Sequence, residues 1–277
     1  MLENIIKSAL EEDLNSVGDI TTSCIIGDEK MRFNINARED LIVAGMKVID
    51  AFSYIFNEEE LFLSAQVDDG TPVTAGTCIV AGHGSVAKVL SVERTILNFI
   101  QRASGIASLT RLFVSAVTGT NAAIRSTRKT CPGLRTFDLY AVKVGGGDSF
   151  RTGLYDGVMI KDNHIAYCNG VSECVRRVRE KLGNVVMTVE CDTKEQVYES
   201  VLNNVNIVLL DNMSIQDIQE SVKIVNGRAK IEVSGGVNLH NVKEIASCGV
   251  DYISIGCITN SVPCKDIGLD FTGSFSP

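Results

Sequence analysis

Six short apolar runs, separated by helical patterns, constrain this chain more than anything else in it. They are AAIRST (122–127), DGVMI (156–160), VVMTVE (185–190), NIVLL (206–210), AKIEVS (229–234) and VDYISI (250–255). Short apolar strands alternating with helices predict a parallel sheet, so the fold class is α/β. Ser214 followed by Asp217 predicts a capping box at the start of one of the helices. Strand spacings of 20 to 30 residues suit a barrel and a doubly wound sheet equally well.

The residues at the carboxyl end of each run carry the chemistry. Thr127-Arg128-Lys129 closes the first and Lys161 the second; Glu190 ends the third and Asp211 comes directly after the fourth. Ser234-Gly235-Gly236 and Gly256 close the last two. In a barrel, the carboxyl ends of parallel strands share one face, where working residues collect. Glycines at the last two strands let backbone N–H groups approach a phosphate; alone, Ser-Gly-Gly is more often an ordinary tight turn. Glu190 and Asp211 suit Mg²⁺ or sugar hydroxyls, and their plainer reading is helix caps or surface acids. Lys129 and Lys161 offer point charge to phosphate oxygens, while Arg128 and Arg151 suit bidentate grip of a carboxylate. His164 is the only histidine near this rim, with a structural and a catalytic role equally open. Gly145-Gly146-Gly147 is weak by itself, because no predicted strand precedes it.

The first 90 residues or so read differently. MLENIIKSALEEDL is an amphipathic helix, MRFNINA (31–37) an alternating strand, and 62–90 a set of short β-runs broken by glycine. A long helix is predicted over 91–117. A net charge of −8 argues against non-specific nucleic-acid binding, and 22% charged with 45% hydrophobic residues argues against disorder. Nine cysteines include no C-x-x-C pair, which predicts free thiols in a reducing compartment rather than zinc. No basic leader and no membrane-length apolar run are seen, so a cytoplasmic location is expected.

The motifs GDITT (18–22), ERTILNFIQRASGIA (93–107), STRKTCPGLR (126–135), GGGDSFRTGLYDGVMIKDNH (145–164), EVSGGV (232–237) and SIG (254–256) extend over nearly the whole chain. In this order the set resembles the quinolinate phosphoribosyltransferase family, also called nicotinate-nucleotide pyrophosphorylase. The resemblance implies an N-terminal α/β sandwich domain (1–105, with 262–277 returning to it) packed on an open α/β barrel (106–261). It implies a homodimer or higher even homo-oligomer with shared sites, Mg²⁺, and no organic cofactor. The implied reaction is quinolinate plus phosphoribosyl pyrophosphate to nicotinate mononucleotide, pyrophosphate and CO₂, a step of NAD biosynthesis. Thr127, Arg128 and Arg151 would bind the dicarboxylate, with Arg102 reaching it from the other subunit. Lys129 and Lys161 would meet the pyrophosphate and substrate side. Glu190 and Asp211 would hold ribose hydroxyls and magnesium, directly or through water. Ser234, Gly235, Gly236 and Gly256 would hold the 5′-phosphate. Lys129, Lys161, Glu190 and Asp211 form the expected catalytic set.

The chain departs from the family pattern at three places. Phe150 stands where a histidine is usual, Ser149 where Asn is usual, and Ser126 where an acid is usual. An aromatic face in place of a carboxylate donor points to an alternative, a ModD-like or other phosphoribosyltransferase paralogue acting on a different aromatic acid. That branch tends to lose the lysine of I-K-D-N-H, which is kept here as Lys161. Two readings of other classes are a sugar-phosphate isomerase or aldolase sharing only the phosphate corner, and a non-catalytic binding protein.

Overall fold

Alternation sets the first sheet. In β1 (Lys30–Ala37) Phe33, Ile35 and Ala37 are buried and the residues between them are not, as a strand with one buried face requires. β1 lies inside an antiparallel sheet of order β12-β1-β5-β3, with β3 (Leu61–Ala65), β5 (Cys78–Ser85) and β12 (Ile267–Ser274). Ile35 stands opposite both Leu269 and Val80. The C-terminal strand thus supplies one edge of the N-terminal sheet. A small pair, β2 (Leu41–Ile42) with β4 (Pro72–Val73), accompanies it. α1 (Leu2–Leu14), α2 (Ile20–Ile25) and α3 (Met46–Ile55) complete this part, and α3 buries Val48, Ile49 and Phe52. The computed structural model describes residues 2–275; the first residue of the expected N-terminal helix and the last two of the expected C-terminal return lie outside them.

α4 (Val86–Ala116) begins five residues earlier than the sequence suggests. No turn residue separates it from β5, and AKVL looks like another short β-run. Val86, Val89 and Val92 are nonetheless all buried, at the three-residue spacing of one helix face.

The second sheet holds β6 (Ala123–Arg125), β7 (Val158–Ile160), β8 (Met187–Cys191), β9 (Ile207–Asp211), β10 (Lys230–Ser234) and β11 (Tyr252–Ser254). All its pairings are parallel, in the order β6-β11-β10-β9-β8-β7. From β7 onward each strand neighbours its successor, and the last returns to the first. That is barrel order, since a doubly wound sheet reverses its order at a switch point. The barrel is open between β6 and β7. Beside β6 runs Asp148, whose N–H donates to Ile124 O at 2.8 Å and whose carbonyl accepts from Ser126 N at 2.9 Å.

Helices α6 (Asp162–Cys168), α7 (Val171–Leu182), α8 (Lys194–Leu202), α9 (Ile215–Val225) and α10 (Val242–Ser247) fill the connections from β7 to β11, and α11 (Cys257–Asn260) comes after β11. Ser214 caps α9 by accepting from Asp217 N at 3.1 Å. The expected reciprocal box is not formed, because the Asp217 carboxylate accepts from the Ser214 hydroxyl instead.

By compactness, one unit takes the chain to Arg111, Cys131–Gly146 and the residues from Ser261 onward; the other takes Leu112–Thr130 and Gly147–Asn260. The division falls inside α4. It also gives the first unit α5 (Arg135–Val144), which lies within the barrel range expected from the sequence. Two contacts within that unit account for this. Arg102 grips Asp138 of α5, and Gly145 lies so close to α4 that a Cβ there would sit 2.6 Å from Ala107 O. Among the described residues no helix is long and apolar enough to cross a membrane.

Candidate active site

Registry brings the strand-end residues together. Ser234 is paired with Asp211, Ile160 with Val189, and Ser254 with Arg125, so the residues just beyond these pairs share one rim. They open into a cavity of about 390 Å³. Nine expected residues line it: Thr127, Arg128, Lys129, Arg151, Lys161, Glu190, Asp211, Ser234 and Gly256. Ser126, Phe150, Met159, Leu209, Glu232 and Ser254 complete the lining.

Two charged sets line the cavity. In the first, Arg128 carries a buried Nε with no hydrogen-bond partner. A buried unpaired donor is costly, and an acceptor on a ligand would satisfy it. The neighbouring Arg151 guanidinium is held below its ordinary pKa, first by burial and then by the Arg128 charge. Its Nε donates to Gly153 O at 2.9 Å, which aims the fork. Two guanidiniums kept close against their repulsion suit an anion with two carboxylates.

In the second, Lys161 Nζ meets Glu190 Oε2 at 2.5 Å across adjacent strand ends. Asp211 Oδ2 accepts from Asn212 Nδ2 at 2.8 Å. The Lys161 side chain remains 43% exposed and Glu190 only 15%, so the lysine head can move and the carboxylate is set. His164 does not line this cavity. Its Nδ1 accepts the backbone N–H of Lys161 at 3.0 Å, as a hydrogen-bonded structural histidine would.

The glycine corner is shaped by contact. Gly235 has φ +88°, and a Cβ there would lie 2.2 Å from Asn212 Oδ1 and 2.8 Å from Asn212 N. Gly236 has φ +63° with open space around it. Gly256 lets the Lys129 stem pass, since an added Cβ would sit 3.1 Å from Lys129 Cδ. Gly235→Ala therefore meets both strain and backbone, whereas Gly236→Ala meets strain alone, about 1–2 kcal/mol. Inorganic phosphate titrated by calorimetry is expected to lose more affinity with Gly235→Ala than with Gly236→Ala. Equal, unchanged affinities would remove this corner as an anion site.

Arg102 is not among the cavity residues. It lines a separate cleft of about 710 Å³ in the first unit, with α1 and Arg94. There its Nε and Nη2 donate to Asp138 at 2.8 and 2.7 Å. This cleft is the larger, and Glu12 and Asp13 line it, but it has no lysine and none of the strand-end residues, so the smaller cavity is the candidate for chemistry.

Sequence reasoning missed one buried set. Arg125 Nη1 lies 3.2 Å from Glu232 Oε2, and Ser254 Oγ donates to Glu232 Oε1 at 2.5 Å. A signal for it exists. Each of these residues stands two positions before a rim residue, and along β10 that spacing puts Glu232 on the same face as Ser234, one layer deeper.

Comparisons with known proteins bear on the family and the fold. The family model described as quinolinate phosphoribosyl transferase, N-terminal domain, matches residues 19–104, and its C-terminal domain counterpart matches 106–270. A probable nicotinate-nucleotide pyrophosphorylase [carboxylating] of Bacillus subtilis (strain 168) is 37% identical, over 98% of this chain and 93% of its own. The chloroplastic nicotinate-nucleotide pyrophosphorylase [carboxylating] of Arabidopsis thaliana is 38% identical, over 97% of this chain and 82% of its own. The crystal structure of nicotinate-nucleotide pyrophosphorylase from Ehrlichia chaffeensis superposes with a TM-score of 0.95 at 51% identity, covering 98% of this chain and 99% of that one. Family models that together match residues 19–104 and 106–270 leave one conclusion: the chain belongs to the quinolinate phosphoribosyltransferase family.

Proposed function

We propose that this protein transfers the phosphoribosyl group of phosphoribosyl pyrophosphate to quinolinate, giving nicotinate mononucleotide, pyrophosphate and CO₂. The observation that carries the reading is that one cavity is lined by Arg128 and Arg151, close enough to repel, by the Lys161–Glu190 ion pair with Asp211 on the adjoining strand, and by Gly256. The guanidinium pair matches an aromatic dicarboxylate, and the other groups match a sugar phosphate with a leaving group. The names borne by the Bacillus and Arabidopsis relatives describe the same chemistry written in reverse.

In this reading the bond from the ribose anomeric carbon to pyrophosphate breaks, and the electron pair leaves with pyrophosphate. The ring nitrogen supplies the pair for the new bond. Glu190 and Asp211 face the cation-like sugar and stabilise it, while Lys129 and Lys161 take up the leaving charge. The alkylated nitrogen is then positive, so the adjacent carboxylate departs as CO₂ with its electrons drawn into the ring. A proton replaces it on carbon.

Two carboxylates at neighbouring strand ends suit magnesium; among the described residues no group of three or more His, Cys, Asp or Glu is gathered to hold a metal ion. Magnesium takes one or two carboxylates and completes its shell with phosphate oxygens and water. Glu190 and Asp211 would hold it, directly or through water, and when bound it supplies neutralising charge to the pyrophosphate.

We take the working form to be an even homo-oligomer in the cytoplasm, with Arg102 acting in the partner's site. Mixing Arg102→Ala with Lys161→Ala subunits is then expected to restore part of the activity. No restoration despite proven subunit exchange would count against shared sites. The test of the function itself is pyrophosphate release from phosphoribosyl pyrophosphate with a panel of aromatic acids. Quinolinate is expected to be the preferred acceptor. Turnover of another acid in its place would favour the paralogue reading, and release with none would reject the transferase.

A further inference from the structure

Barrel interiors below the rim are ordinarily packed with branched apolar side chains. One layer here is different. Glu232 lies below Ser234 by the two-residue period of β10, and Arg125 and Ser254 are the last residues of β6 and β11, two positions before Thr127 and Gly256. Arg125 is 5% exposed and Glu232 4%. Besides Glu232, the guanidinium reaches Asp148 Oδ2 at 3.1 Å. It packs against the Tyr252 ring, and its carbon lies 4.8 Å from the Phe150 ring centroid. Glu232 and Phe150 line the cavity, whereas Arg125 does not. Bare, the Glu232 carboxylate would oppose any anion drawn in by Arg128 and Arg151, because charge repulsion is strong where water is excluded.

We propose that Arg125 is a positioning residue for the acceptor: it neutralises Glu232 and seats the Phe150 ring, so the wall facing Arg128 and Arg151 admits an aromatic carboxylate. The proposal rests on the function proposed above. Activity of the unaltered protein with quinolinate tests that function, and comparison among variants tests Arg125, so the two fail separately.

The experiment is steady-state kinetics of the full chain with quinolinate and phosphoribosyl pyrophosphate. Arg125→Met is expected to raise the quinolinate KM roughly tenfold to a hundredfold, as an uncompensated charge near an anion site would. The KM for phosphoribosyl pyrophosphate should move much less. Arg125→Lys, which keeps the charge, should recover part of the loss. The decisive variant is Arg125→Met with Glu232→Gln, which removes both charges and should bring the quinolinate KM back toward its original value. A merely structural arginine would leave the double variant no better than the single one, and that result overturns the proposal. If Arg125→Met does not fold, the double variant, which buries no unpaired charge, carries the test alone. A quinolinate KM raised tenfold or more in it would be equally fatal.

Discussion

Replacing Glu190 with Ala is expected to lower kcat by roughly two to three decades, the usual cost of removing one preorganised electrostatic group. The unfolding temperature should barely move. The Lys161–Glu190 bridge is short, but its lysine side chain is 43% exposed, and ion pairs of that kind contribute about 0–1 kcal/mol. The catalytic loss has two sources. The sugar loses a carboxylate as its anomeric carbon becomes cation-like. Lys161 loses the group that aims it. Glu190→Gln separates charge from shape, since it keeps an acceptor oxygen of the same reach; it should remain nearly as impaired as the alanine variant. Asp211→Ala should behave similarly, because its strand adjoins that of Glu190. Single-turnover measurement with phosphoribosyl pyrophosphate reads the chemical step directly. Near-normal turnover in both Glu190→Ala and Asp211→Ala would reject the ribose and magnesium assignment.

Much of this rim is legible in the sequence because a strand end is a local feature. Short apolar runs announce where Lys161, Glu190 and Asp211 stand, and parallel pairing then puts them side by side. The illegible part is non-local. Whether six strands make a barrel or a doubly wound sheet depends on the β11–β6 pairing, which joins Ser254 to Arg125 across 129 residues; no spacing encodes it. The placement of Cys131–Gly146 with the first unit depends on contacts such as Arg102–Asp138, and Asp138 in sequence is only one acid among many. Arg125 is hidden for another reason. Inside AAIRST it reads as a polar interruption near the end of an apolar run, and its partner Glu232 sits 107 residues away. A rule carrying the two-residue period inward from each strand end would pair them. Phe150 is the opposite case. It stands out in the sequence as a departure from the family pattern, and only the structure shows that its ring stands over the Arg125 guanidinium.

Arg128→Met is expected to cut kcat/KM for quinolinate by one to two decades or more, and at the same time to leave the fold as stable or slightly more so. Arg128 has a buried Nε that no protein group satisfies, and its charge helps to hold Arg151 below the ordinary arginine pKa, after the larger effect of burial. A lowered arginine pKa means that folding disfavours the charged form, so the pair costs stability wherever both are protonated. That covers the whole working pH range. Removing one member relieves the repulsion and the unpaired donor together. A gain of about 0.5 kcal/mol in urea unfolding is the scale for relieving such a site. The functional loss is larger, because a hydrogen bond to a charged group contributes roughly 1.5–3 kcal/mol, or one to two decades in affinity. Pyridine monocarboxylates used as competitive inhibitors give the sharper reading. With one carboxylate to hold, they should lose less affinity than quinolinate when Arg128 is removed, and Arg151→Met should show the same pattern. If Arg128→Met destabilises the fold strongly and weakens the dicarboxylate and the monocarboxylates equally, the guanidinium pair is a structural feature and the acceptor binds elsewhere in the cavity.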